Sequence, residues 1–127
     1  MSIPVAIADL VAKTGEFGWA YLLTVGDDQR PRIVAVAPSW GDQILAMQVG
    51  HRTAQNVSAR PAVSICYPPI EDGGYSLIVD GQASLVGELD VHFAPSKAVL
   101  HRPAPVGFEE PAAGCGSDCV PVSPSGS

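Results

Sequence analysis

The sequence predicts a mainly β domain: a small antiparallel β-barrel of six strands with short helices beside it. Three observations carry that prediction. Runs rich in β-branched and aromatic residues recur along the chain. Short polar turns with Gly, Asp or Pro close each run, which suits an antiparallel meander. Only two short stretches carry helical spacing.

The first of these is PVAIADLVAKT, residues 4–14, where Ile7, Leu10 and Val11 fall on one helical face. Pro4 suits a first turn and Gly15 a stop, so a short helix is expected. WAYLLTV (19–25) reads as the first strand, closed by the turn GDDQR. PRIVAVAPSW (31–40) reads as the second, closed by GDQ, and ILAMQVG (44–50) as the third. GHRTAQNVSARPAV (50–63) then interrupts the strands. Thr53 is expected as N-cap of a two-turn helix over 54–59, with Arg60-Pro61 ending it. AVSICYP (62–68) resumes strand character with Val63, Ile65 and Tyr67 on one face. A loop rich in Pro, Asp and Gly leads to YSLIVDGQASLVGEL (75–89), a long strand that Gly81 or Gly87 bends or bulges. The last strand is read over 89–103, with Pro95 placing it at an edge or kinking it.

At 127 residues the chain reads as one domain over 1–103, followed by a tail over 104–127 rich in Pro, Gly and Ser. That tail is expected to be flexible or draped on a partner. The strands over 31–40 and 75–89 are apolar on both faces. One face fills the barrel, so the other needs a helix or a second subunit, and a homodimer is the economical answer. Net charge is −6 and the only lysines are Lys13 and Lys97. Such a surface excludes a general nucleic-acid or membrane-binding role, because both need a broad positive field. Any anion must be held locally by a few of Arg30, Arg32, Arg52, Arg60 and Arg102. No apolar run reaches the ~18–20 residues that span a bilayer, and the first residues lack the pattern of a secretory signal. A cytoplasmic location is expected.

Cys66 is expected to be a buried small hydrophobe, and Cys115 and Cys119 form a spaced pair in the tail without further zinc ligands. The three histidines, His51, His92 and His101, show no triad or metal spacing. Trp40 and Tyr67 could stack on a planar ligand, although core packing explains each as well. In the polar interruption, Arg52 and Thr53 at a helix start suit a phosphate, because free N–H groups and the helix dipole favour negative charge there. Thr is also an ordinary N-cap, and a surface Arg needs no ligand. The residues alone leave connector and anion site both open.

Three stretches together resemble the pyridoxamine 5′-phosphate oxidase-like, FMN-binding split-barrel family: AYLLTVGDDQRPRIVAVAPSW, ILAMQVGHRTAQNVSARPAVSI and YSLIVDGQASLVGE. The resemblance spans roughly residues 16–102. It implies a six-stranded antiparallel split β-barrel of Greek-key type, and a homodimer with cofactor sites at the interface. It implies FMN as cofactor, or alternatively the deazaflavin coenzyme F-420, in an oxidoreductase acting on a small molecule. The cofactor phosphate would be met by Arg32 on the second strand and by Arg52 and Thr53, with His51, Gln55 and Asn56 beside them. The ring would lie along Ile33 and Val34 and along Gln48 and Val49. Where the family commonly carries lysines, this chain has Thr53 or Gln55, and Ala37. No counterpart of the pyridoxal phosphate-binding C-terminal segment is evident, which argues against a vitamin B6 oxidase. Two further readings stay open beside the enzyme: a flavin carrier without turnover, and a structural dimer whose site has lapsed. Flavin chemistry needs few protein acids or bases, so the missing triad weighs little.

Overall fold

The computed structural model describes residues 1–104. The expected tail, apart from Ala104, and the Cys115–Cys119 pair lie outside the described residues. The elements run β1 (Ser2–Val5), a 3-10 turn (Ile7–Asp9), α1 (Leu10–Thr14), β2 (Ala20–Val25), β3 (Pro31–Val36), β4 (Ser39–Gly41), β5 (Ile44–Gln48), α2 (His51–Ala59), β6 (Ala62–Tyr67), β7 (Ser76–Leu85) and β8 (Asp90–His101). They form one curled antiparallel sheet in the order β3-β2-β6-β7-β8-β5-β4, with β1 added on β8. The mainly β, barrel-like class is as expected. Among the described residues the strand count is eight, not six.

One extra strand, β4, has a local cause. Pro38 lacks an N–H and breaks the run over 31–40. The part before it pairs with β2, and the part after it folds back on β5. The β4–β5 turn holds Asp42 and Gln43 at φ 62° and 87°, the two positive dihedrals of a hairpin turn with the sheet's own twist. At the N-terminus, the expected helix over 4–14 starts too early. Pro4 and Val5 pair with Val99 and Ala98, and helix proper begins at Leu10. Of the three apolar residues assigned to its buried face, only Leu10 is buried; Ile7 and Val11 are exposed.

The core is the concave side of the sheet. Leu22, Leu45, Ile65, Leu77, Val79, Val91 and Phe93 are all fully buried there. Val63, Ile65 and Tyr67 share the inward face as expected, and Tyr67 packs its ring against Phe17 at 5.9 Å. Cys66 points the other way and is only half-buried, a correction to its expected burial; partial desolvation still pushes its thiol pKa up.

Strand β8 is interior, not an edge. It pairs with β7 along its length, with β5 over 90–93 and with β1 over 98–101. Pro95 falls between the β5 and β1 partners, where its missing N–H leaves no ladder bond broken on that side. It sits opposite Gly81, at the register shift between Asp80 and Gly81. A Cβ on Gly81 would run into the Ala94 carbonyl and come within 2.7 Å of the Phe93 ring. Glycine is required there by close approach, not by its dihedrals.

Candidate functional site

Strand β3 lies at one end of the sheet, so alternate backbone groups along its outer edge have no strand to bond. Its residues alternate in burial: Arg32, Val34 and Val36 face inward and Ile33 and Ala35 outward. Arg32 lies opposite Thr24 on β2. Thr24 is buried, and its hydroxyl accepts a hydrogen bond from Asn56 Nδ2 on α2 at 3.1 Å. This bond draws the middle of α2 against β2, so Arg32 sits beside the helix.

The helix itself starts three residues earlier than expected. Its N-cap is Gly50, in extended conformation, and Thr53 is its third residue. Helical spacing then explains which side chains reach the surface. Arg52 and Gln55 (i, i+3) are exposed; Asn56, on the same side, is buried against Thr24, and Thr53 and Val57 lie on another face and are buried. Thr53 is therefore not the N-cap; its methyl-bearing side chain is part of the packing. The helix end is as the sequence indicates: α2 stops at Ala59. Arg60 then reaches back, with Nε donating to the Val25 carbonyl at 2.8 Å and an Nη atom to Asp27 at 2.6 Å.

These elements enclose a cavity of about 240 Å³ lined by Gly26, Asp27, Asp28, Arg32, Arg52, Gln55 and Asn56. Four of the ten sequence-selected residues thus come together. Three further residues that the selection missed line the same cavity: Gly26, Asp27 and Asp28. Asp28 is held twice: one carboxylate oxygen accepts the Arg30 backbone N–H at 3.0 Å and the other accepts Arg32 at 2.8 Å. The Arg30 N–H, and beside it the Arg32 guanidinium, hold its carboxyl below the usual range. Their signal was legible: an acidic pair in the turn four residues before a strand arginine. Arg52 is exposed and makes no ion pair among the described residues.

A second cavity, about 340 Å³, is lined by Ala37, Ser39, Ala46, Met47, Gln48 and Asp90. Both cavities touch β3 or its continuation, and Arg32 and Ala37 are about 16 Å apart at strand rise. Gln48 lines this second cavity. Val49 is half-buried, and its backbone N–H is spent on the Leu89 carbonyl at 3.0 Å. Ile33 is exposed on the convex side, Val34 half-buried, and His51 exposed at the first turn of α2; none of these three lines either cavity. His101 Nδ1 lies 3.1 Å from the Ser2 hydroxyl, next to β1. Trp40 donates to the Thr14 hydroxyl at 2.7 Å and packs on the core, so packing accounts for it. Among the described residues there is no cluster of three potential metal ligands, and no helix is long and apolar enough to cross a membrane.

The convex side of β2 and β3 carries Trp19, Tyr21, Val25 and Ile33, all exposed. Trp19 stands edge-on to Tyr21 at 4.8 Å. Helix α2 packs on β2 and β7, and no described helix covers these four residues.

The fold is the split barrel seen in solved pyridoxamine 5′-phosphate oxidase-like proteins. The chain is similar in structure to a Clostridium acetobutylicum protein related to general stress protein 26 of the pyridoxinephosphate oxidase family (TM-score 0.61, 10% identity, 77% of this chain and 91% of that one). It is also similar to an FAD-binding protein from Mycobacterium smegmatis (TM-score 0.58, 14% identity, 80% and 100%) and to an F420 reductase (TM-score 0.54, 16% identity, 64% and 88%). No protein-family model matches. In sequence the chain is 37% identical over 130 residues to uncharacterized proteins of Mycobacterium bovis and Mycobacterium tuberculosis, covering 90% of this chain and 92% of each of them. It belongs to the same family as these two mycobacterial proteins.

Proposed function

We propose that the chain binds a flavin-type cofactor and works as an oxidoreductase on a small molecule in the cytoplasm. The observation that carries this reading is the convergence of Arg32, Arg52, Gln55 and Asn56 on one cavity beside the first turn of α2. The likeness to flavin-binding and F420-named split barrels supports it. The donor set fits a phosphate: two guanidinium groups and two amides, with N–H groups of the first helical turn lacking intrahelical partners nearby. When bound, the ring system supplies the hydride or electron acceptor, a chemistry that needs little from protein acids or bases. The protein's own work is to hold the phosphate with Arg32 and Arg52. The edge of β3 and the Gln48 cavity would receive the ring and keep water from one side of it. FMN is the smallest cofactor with both parts, and the deazaflavin F-420 has them too.

The exposed apolar strip on β2 and β3 supports a homodimer, with a second copy covering Tyr21 and Ile33 near the cofactor edge. Binding is tested by fluorescence titration of the purified protein with FMN, riboflavin and F-420. Arg52→Ala should cost about 1.5–3 kcal/mol of affinity for a phosphate-bearing cofactor, as expected for a charge-assisted bond, and leave riboflavin unchanged. Protein that binds none of the three refutes the reading. Bound cofactor that no nicotinamide or deazaflavin donor reduces would favour a carrier instead.

A further inference from the structure

The phosphate cavity is not simply basic. Two of its seven lining residues are aspartates, and both are committed: Asp28 to Arg32 at 2.8 Å and Asp27 to Arg60 at 2.6 Å. Arg30 contributes its backbone N–H to Asp28, not a guanidinium to the cavity. The three guanidinium groups of Arg32, Arg52 and Arg60 therefore face two carboxylates, and one positive charge is left over. That charge is on Arg52. A ligand that takes Arg32 away from Asp28 does not remove the carboxylate, which stays pinned to the turn by the Arg30 N–H. Any second negative charge on the ligand is thus set against a fixed like charge a few ångströms away, which opposes binding.

Resting on the flavin reading above, we propose that this cavity selects a singly charged phosphodiester over a doubly charged terminal phosphate, and that Asp28 is the residue that sets the selection. The flavin-type ligand is then one whose phosphate is a singly charged diester, as in F-420, with FMN the weaker partner. Gly26 belongs to the device. A side chain there would come within 3.0 Å of the Asp28 carboxylate, so glycine leaves room for the carboxylate to fold over the turn toward Arg32.

The test compares riboflavin, FMN, the methyl phosphodiester of FMN and F-420 by fluorescence titration at about pH 8, where a phosphomonoester (second pKa about 6) is dianionic. The methyl phosphodiester differs from FMN in charge and one methyl group only. It is expected to bind roughly fivefold tighter than FMN, a gap that narrows at high salt because the groups are solvent-exposed. Asp28→Asn should tighten FMN roughly tenfold, the phosphodiesters about threefold and riboflavin not at all. Asp28→Glu, which keeps the charge, should preserve the wild-type order. FMN binding more tightly than its methyl diester, or Asp28→Asn shifting FMN and the diester alike, would overturn the selection while leaving a flavin site standing. Failure of every ligand to bind would bring down the flavin reading, and the selection with it.

Discussion

The bond between Asn56 and Thr24 holds the floor of the candidate site, and its loss should be measurable as stability. Both side chains are buried, at 4% and 3% exposure, and Asn56 Nδ2 donates to Thr24 Oγ1 at 3.1 Å across 32 residues of chain. Thr24→Val keeps the volume but removes the acceptor, leaving a buried amide hydrogen without a partner. Orphaning a buried polar group costs about 1–3 kcal/mol, more than the net worth of the bond itself, about 0.5–1.5 kcal/mol. Asn56→Leu, similar in volume, orphans the Thr24 hydroxyl, with a cost of similar size. In Thr24→Val/Asn56→Leu neither orphan remains. That double variant should be less destabilised than the two single changes together by roughly 1 kcal/mol. Urea denaturation measures each value, and each kcal/mol should move the thermal midpoint by about 4 °C. Losses that add to within about 0.3 kcal/mol would refute the reasoning, since they would show that the two groups do not depend on each other.

Three further outcomes are expected. Gly81→Ala should destabilise by about 1–3 kcal/mol through overpacking, because the added carbon meets the Ala94 backbone and the buried Phe93 ring; an unchanged denaturation midpoint would show that the bulge can relax. Burial pushes the Tyr67 phenol up to about 12. An unfolded phenol ionises near ~10, so stability should be full below that pH and fall as pH rises toward about 12. Tyr67→Phe should abolish that phase in the near-ultraviolet phenolate titration. Ile33→Asp places a charge in the exposed apolar strip at a position 60% exposed. It should leave the fold intact and shift the sedimentation of the chain from dimer to monomer; a wild-type chain that sediments as a monomer contradicts the second subunit.

Much of the fold was legible because strand signals here are local. Alternation in 62–67 placed Val63, Ile65 and Tyr67 on one face, and the Arg60-Pro61 stop of α2 follows from the steric demand of proline on its predecessor. The error at the N-terminus has a long-range cause. Ser2–Val5 is strand only because β8 offers an edge about a hundred residues later, and no local periodicity encodes that partner. Its residues, met alone, scan as well into the following helix.

The site divides in the same way. The sequence by itself determined the β-rich class, the helix stop, and the cluster of arginines and polar groups at the turn after the third strand, because each rests on the properties of residues close in the chain. Only the tertiary structure decided what those residues do together. It turned Thr53 inward by starting α2 at Gly50, brought Arg32 beside Arg52 through the Thr24–Asn56 bond, and set Asp27 and Asp28 against the same cavity. Net charge at a site is a sum over groups that meet in space, and their meeting is set by long-range strand pairing.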